Sequence, residues 1–486
     1  MSFSRAENIA GGTVRVFLAE ALLFPTGLIT AAYLTRNLGP AGYGLFTLAS
    51  VIVVWIEWSI TAVFGRATFK FVGEAQDWKP VGSAVVRLHI AVSVVSAALL
   101  WLVSVPVSRY LTEPDLAGYL RLYAIDIPLF SLAQAHRNIL VGIGAFHERA
   151  LVSATRWIAR LALILAFVYL GLSVRGAILG CIGASVIELI VARLYIRPPI
   201  FRYSEFPLAR LWDYALPLFL FALSLRIYDK LDLVMLKALG GTAELAGIYG
   251  AAQNLSLVPG VFALSFSPLL LSSVSRALIS GQDAQAREMG VNAIRVVMVM
   301  IPFAGMAAGA SHEITQFVFG SAFVDSAPLF SVLFFGATGL AMISVTTAIL
   351  TAAGRPALTF LLIGPLVPLA FFADLKVIPR YGATGAAAVT TGFAIAGALA
   401  TLIAVYRHLQ IAPPAFTFLR SLILTAAGWA AAAFWPAAGI LLVLKLAVIS
   451  SLILLGFFLF GEMRPGEAAL LRRALYTASH TKMERE

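Results

Sequence analysis

Little in this sequence suits a water-soluble protein. Charged residues fill only 12% of the 486 positions, about half the share of ordinary globular chains. A single cysteine, Cys181, stands inside an apolar run, so the chain has neither a disulfide framework nor a thiolate metal site. No G-x-x-x-x-G-K-[ST] loop is present, which excludes ATP hydrolysis by that route, and His312-Glu313 lacks the second histidine of a zinc-protease pair. Long polar segments are also scarce. The longest loop candidates, 73–82 and 204–211, leave no room for a soluble catalytic domain.

What fills the chain instead is apolar sequence, 60% hydrophobic by composition with a mean hydropathy of +0.91. Runs long enough to cross a bilayer recur from end to end, and at about 20 residues per span they predict an all-α polytopic membrane protein with about 14 transmembrane helices. The first run, 14–33, exceeds the h-region of a cleavable signal and is expected to stay as the first span.

The net charge of +11 is then read by position. One set of loops and helix ends carries most of the cations, among them Arg5, Lys70, Arg149, Arg197, Arg210, Arg287 and Arg473. The opposite set holds Arg36, Arg109, Arg121, Arg175, Lys237, Lys376 and Arg380. This asymmetry predicts both termini on the cytoplasmic side and an even number of spans, and it accounts for the basic excess without a nucleic-acid partner.

A repeat divides the spans. Leu38-Gly39 and Gly42-Tyr43-Gly44 separate spans 1 and 2, as Leu239-Gly240 and Gly247-Ile248-Tyr249-Gly250 separate spans 7 and 8. Gly176 at span 6 has its counterpart in Gly382 at span 12. Six spans is an even number, so the halves run in the same sense, as a parallel repeat with the working cavity between them. The expected organisation is an N-lobe of spans 1–6 at 1–205, a C-lobe of spans 7–12 at 206–410, spans 13–14 at 411–462 and a cytoplasmic tail at 463–486. Gly42, Gly44, Gly176 and Gly382 are expected at chain reversals, and Gly305 and Gly309 on a small-residue helix contact.

One stretch concentrates charge inside a span. Arg226-Ile227-Tyr228-Asp229-Lys230-Leu231-Asp232 follows the apolar run 215–225 without a loop signal, and at 1.5 Å per residue Arg226 lies about 20 Å into the membrane. Each such charge costs about 2.5–3.5 kcal/mol against lipid, so the group must face water or other charges. Helical spacing places Arg226, Asp229, Lys230 and Lys237 on one side, with Asp232 on its flank. This face either lines a wet cavity or closes on itself, with Asp232 and Lys237 reaching the interface.

At Arg36-Asn37-Leu38-Gly39-Pro40-Ala41-Gly42-Tyr43-Gly44-Leu45-Phe46 the chain resembles the polysaccharide-transporter family of lipid-linked oligosaccharide and O-antigen flippases. That family belongs to a superfamily shared with multidrug exporters and the lipid II flippase. The resemblance continues at Tyr214-Ala215-Leu216-Pro217-Leu218, at Gly354-Arg355-Pro356 and at Ile378-Pro379-Arg380-Tyr381-Gly382-Ala383-Thr384-Gly385, covering roughly residues 5–410. It implies two pseudo-symmetric six-helix lobes in a V-shape. Their implied task is to move a polyprenyl-diphosphate-linked oligosaccharide from the cytoplasmic to the outer leaflet of a bacterial inner membrane, by alternating access, for surface or exopolysaccharide synthesis. Spans 13–14 resemble the extra pair that forms a lipid-tail groove in the lipid II flippase. The implied partners are the lipid-linked glycan, membrane lipids and polysaccharide polymerase or export proteins, with the chain itself a monomer.

The resemblance carries no substrate residue over by motif, so the site is read from the chain's own charges. Guanidinium and ammonium groups match diphosphate oxygens, which makes Arg226, Lys230, Arg15 and Arg66 the candidate cations and Gln253 and Asn254 the candidate sugar hydrogen-bonders. Asp229, Asp232 and Glu57 are the candidate carboxylates for ion or proton coupling. Glu20, Asp126 and Glu188 are further acids at membrane depth. No cofactor, metal or catalytic residue is expected, and the driving force stays open among H+, Na+ and membrane potential. The competing readings are a cation-coupled multidrug exporter of the same superfamily and a membrane glycosyltransferase or glycan ligase.

Overall fold

A computed structural model describes residues 18–199, 228 and 230–462. Arg15, Arg226, Asp229 and the tail from 463 onward lie outside the described residues, as does the side chain of Arg66. Among the described residues the regular structure is helical throughout.

Helix α1 (Leu23–Glu74) is two spans merged across a kink, where Gly39 adopts φ 66° and Pro40 follows. A left-handed φ is cheap only for glycine. Helix α2 (Trp78–Tyr110) starts at Asp77, whose side chain accepts from Lys79 N at 3.0 Å, the usual way to satisfy an orphan N-terminal amide. Helices α3 (Pro114–Tyr123) and α4 (Asp126–Gly142) form one pass broken at 124–125.

Helix α5 (Phe146–Phe167) runs through a π turn (Val168–Leu172) into α6 (Ser173–Tyr195), with Gly171 at φ 85°. A Cβ on Gly180 would meet Ile164 and one on Gly183 would meet Leu163, so α5 and α6 form an antiparallel hairpin. The reversal therefore falls at Gly171. Gly176, expected there, lies one turn into α6, where a Cβ would stand 2.9 Å from Phe167 O.

The second half opens with α7 (230–238) and α8 (Ala243–Leu255), the latter capped by Thr242, which accepts from Leu245 N at 3.1 Å. Then come α9 (Val258–Ile279), α10 (Asp283–Gly309), α11 (Ser311–Phe319), a 3-10 turn (Ser321–Ser326), α12 (Ala327–Ala352) and α13 (Pro356–Ile363). Helix α14 (Leu366–Leu409) again merges two spans across a glycine, Gly382 at φ 56°. Helices α15 (Ala415–Phe434) and α16 (Ile440–Leu459) close the bundle.

Nine stretches among the described residues are long and apolar enough to cross a membrane. Three of them turn back at Gly39, Gly171 and Gly382, and α7 to α9 add further helix, an arrangement compatible with fourteen passes. The outward surface suits lipid: Val95, Leu99 and Leu102 on α2 and Leu441, Leu444, Leu452 and Leu459 on α16 are all exposed. The chain is an all-α polytopic membrane protein.

Helices α1 to α6 pack on one another, as do α8 to α14, while α15 lies along α10 and carries α16. The first core cluster joins the two groups, since Leu233, Leu236, Ala246, Tyr249, Phe319 and Phe323 share it with Leu34, Tyr43, Leu48 and Phe64. A second core fills the interior of α9 to α14, and a third sits under α15 and α16.

Candidate substrate and coupling site

The seam between the two helix groups runs where α1 meets α8. Both hairpins contribute glycine to it. A Cβ on Gly44 would collide with the carbonyl of Ala243, and one on Gly247 with the carbonyl of Pro40, so the backbones touch directly. Asn254 Nδ2 donates to Tyr43 Oη at 2.5 Å, and Tyr43 meets Phe323 edge-on at 5.8 Å between ring centroids. Arg36 Nη2 donates to Phe317 O at 2.5 Å. Lys237 Nζ pairs with Glu113 at 2.9 Å. A cavity of about 580 Å³ lies beside this seam, lined by Arg36, Glu313, Gln316, Phe317 and the 436–439 turn.

Below the seam, α7, α8 and α14 bring together a buried polar group. Lys230 Nζ donates to Gln253 Oε1 at 2.8 Å, and Gln253 Nε2 donates to Asp232 Oδ1, also at 2.8 Å. Asp232 further accepts from Leu233 N at 2.8 Å, Tyr249 Oη at 2.5 Å and Thr390 Oγ1 at 2.8 Å. Four donors on one carboxylate compensate the removal of its charge from water, a cost that would otherwise drive it out of the interior. Tyr228 Oη holds Thr390 O at 2.9 Å, and Asp374 on α14 is buried with one carboxylate oxygen lacking a hydrogen-bond partner.

A second charged group joins α4, α5 and α6 to Glu20, just ahead of α1. Glu188 pairs with Arg137 at 2.9 Å and accepts from Arg156 Nη1 at 2.7 Å, while Glu20 pairs with Arg149 at 3.3 Å and accepts from Ser153 Oγ at 2.9 Å. Arg156 also caps the face of Phe130 at 4.4 Å and donates to Ser185. Glu57 and Asp126 are buried nearby, each with one carboxylate oxygen lacking a hydrogen-bond partner.

Of the sequence candidates, the structure therefore unites Lys230, Asp232 and Gln253. It sets Asn254 on the seam and Glu57 in the other helix group. Lys237 and Asp232 do not reach the interface, because both are turned into protein, at 2% and 1% exposure. Asp374, Thr390, Arg137 and Arg156 were not read from sequence as site residues, and Tyr249 was read only as part of the repeat at the opening of span 8. An acid inside the apolar run of α14 was the available signal for Asp374, and the repeat motif was the signal for Tyr249; Thr390 gave none, since hydroxyl residues abound in spans.

The family model for polysaccharide biosynthesis proteins matches residues 10–270. Among solved structures the chain is similar to the lipid II flippase MurJ in an inward closed conformation, at 15% identity and a TM-score of 0.69, with 96% of this chain and 99% of that one covered. It is also similar to a Vibrio cholerae MATE transporter (14% identity, 84% and 97% covered, TM-score 0.58). A superfamily transporter from Pyrococcus furiosus scores likewise, with 14% identity, 87% and 96% covered and a TM-score of 0.58. No curated protein matches the chain by sequence. With a family-model match across more than half its length, the chain belongs to the polysaccharide biosynthesis protein family.

Proposed function

We propose that this protein is a flippase that carries a polyprenyl-diphosphate-linked oligosaccharide from the cytoplasmic to the outer leaflet of the bacterial inner membrane by alternating access. It acts as a transporter without catalytic residues, serving surface or exopolysaccharide synthesis beside polymerase and export proteins. The observation that carries the reading is that a member of the polysaccharide biosynthesis family has, among its described residues, nine stretches long and apolar enough to cross a membrane, in a fold similar to that of the lipid II flippase MurJ. Such a chain contributes passage across the membrane rather than bond formation.

In this reading the glycine seam faces outward and both termini are cytoplasmic, as the distribution of Lys and Arg favours. The diphosphate meets Arg226 and Lys230 from the C-lobe and Arg15 and Arg66 from the N-lobe, with Gln253 and Asn254 toward the sugars. Asp232, with Asp229, and Glu57 in the opposite lobe, carry the coupling cation or proton. Gln253 gives this arrangement a physical link, because one amide accepts from Lys230 and donates to Asp232. Changing the charge at either end alters what the other end holds.

The test is the fate of the lipid-linked intermediate in cells lacking the protein. Accumulation on the cytoplasmic face together with loss of surface polysaccharide is the expected result. Unchanged glycan export with heightened sensitivity to cationic drugs would replace the reading with a multidrug exporter.

A further inference from the structure

We propose that Lys237 and Glu113 form a latch that holds the two lobes together at the glycine seam, and that breaking this ion pair is a required step in opening that end. Lys237 is the last-turn cation of α7, yet it is only 2% exposed. Its ammonium has three partners: Glu113 Oε1 at 2.9 Å, Thr112 Oγ1 at 3.3 Å and the carbonyl of Gly241 at 2.7 Å. An ammonium carries three protons. The coordination is therefore complete and leaves no proton for water.

Two of these partners belong to the other helix group. Thr112 and Glu113 form the turn between α2 and α3, and Thr112 adopts φ 54°, a left-handed conformation unfavourable for a β-branched residue. That backbone geometry places its hydroxyl and the next carboxylate toward Lys237. The other named ion pairs of the described residues, Arg137 and Arg156 with Glu188, Arg137 and Arg149 with Glu20, Arg295 and Arg420 with Glu462, and Lys445 with Glu313, each stay within the same half of the chain. Lys237–Glu113 joins the halves.

The asymmetry of the pair suits a latch. Glu113 is 21% exposed and Lys237 is 2% exposed. Hydration can therefore take the carboxylate first, but the lysine can leave only if the lobes part and water follows it. Loss of the carboxylate alone would strand a buried charge, and the ammonium regains water when the seam opens. Neutralising Glu113 consequently favours the parted state.

The proposal requires that the lobes separate at this end and is independent of the cargo, so it can be tested on purified protein without substrate. Spin labels at Tyr110→Cys and Tyr381→Cys, both exposed positions in opposite halves, on a Cys181→Ser background, report the separation in lipid nanodiscs. A second pair at Tyr110→Cys and Tyr169→Cys lies within one half. In Glu113→Gln, and again in Lys237→Met, the population of the longer interlobe distance should rise at least several-fold while the intralobe distance stays fixed. An unchanged interlobe distribution in folded Glu113→Gln overturns the proposal, and so does equal lengthening of both pairs, which would mean general loosening.

Discussion

Asp232 shows how a residue can be read correctly as buried charge and still be misjudged in its surroundings. Its carboxylate accepts four hydrogen bonds from α7, α8 and α14, and a hydrogen bond to a charged group contributes about 1.5–3 kcal/mol. Asp232→Asn keeps the shape but places an amide donor among donors. We expect it to lower transport at least ten-fold and to abolish any dependence on an imposed cation gradient, measured by glycan translocation in proteoliposomes. Retained gradient dependence would remove Asp232 from the coupling role. Lys230→Ala should cut export while membrane abundance, read by immunoblot, stays at wild type. Equal loss of both would mark Lys230 as structural.

The extra helices give predictions at the level of elements. Helix α15 lies so close to α10 that a Cβ on Gly305 would stand 2.6 Å from Thr425 O, and one on Gly309 would strike Trp429 O. Small residues permit this backbone approach, which is how helices associate where no hydrophobic drive exists between them. Ion pairs fasten the hairpin at both ends: Lys445, fully buried, to Glu313 at 2.7 Å, and Glu462 to Arg295 at 2.7 Å and Arg420 at 2.6 Å. Glu313→Ala leaves the lysine buried and unpaired, a loss of about 3–5 kcal/mol. A lower thermal midpoint in detergent should reveal it, and a midpoint equal to wild type would contradict the pairing.

Glu462, just beyond α16, adds a pH dependence. Burial raises its pKa, but hydrogen bonds from Thr417, Arg420 and Arg295 outweigh this and hold the carboxyl below its ordinary value of 4.5. A depressed folded pKa contributes stability that is present above the unfolded pKa and is lost as pH falls through the folded one. The stability gap between wild type and Glu462→Gln should thus be full at pH 7 and shrink below about pH 4.5. A gap constant down to pH 3 would show that the carboxylate charge contributes nothing.

For the whole molecule, the seam is where the two helix groups meet. Gly44 and Gly247 let two repeat-related hairpins meet backbone to backbone, and α8 connects that meeting to the polar group below, with Asn254 on Tyr43 and Gln253 on Asp232. Gly247→Val inserts a side chain where the carbonyl of Pro40 already stands. It should wedge the lobes apart at this end. Thr47 faces Gly250 across the seam, so a Thr47→Cys reporter on a Cys181→Ser background should react with an impermeant maleimide in Gly247→Val and stay protected without it. Equal protection in both would mean the seam tolerates the valine by local adjustment.

Much of this protein followed from sequence because a bilayer constrains sequence so strongly. Apolar length determined the helices, since runs of about 20 apolar residues span a bilayer as helix, which satisfies every backbone group within the segment. Glycine and proline marked the turns at Gly39, Gly240 and Gly382, since a left-handed φ or a tight reversal selects them locally. The intramembrane charges at Lys230, Asp232 and Glu57 stood out for the same reason, their cost in lipid. What each charge holds was settled only in three dimensions. Gln253 lies 21 positions from Asp232, Thr390 lies 158 away, and Glu113 meets Lys237 across the lobes. Hydrogen bonding depends on distance in space, and no local rule of spacing encodes which distant hydroxyl or carboxylate the packing of α7, α8 and α14 will bring within reach.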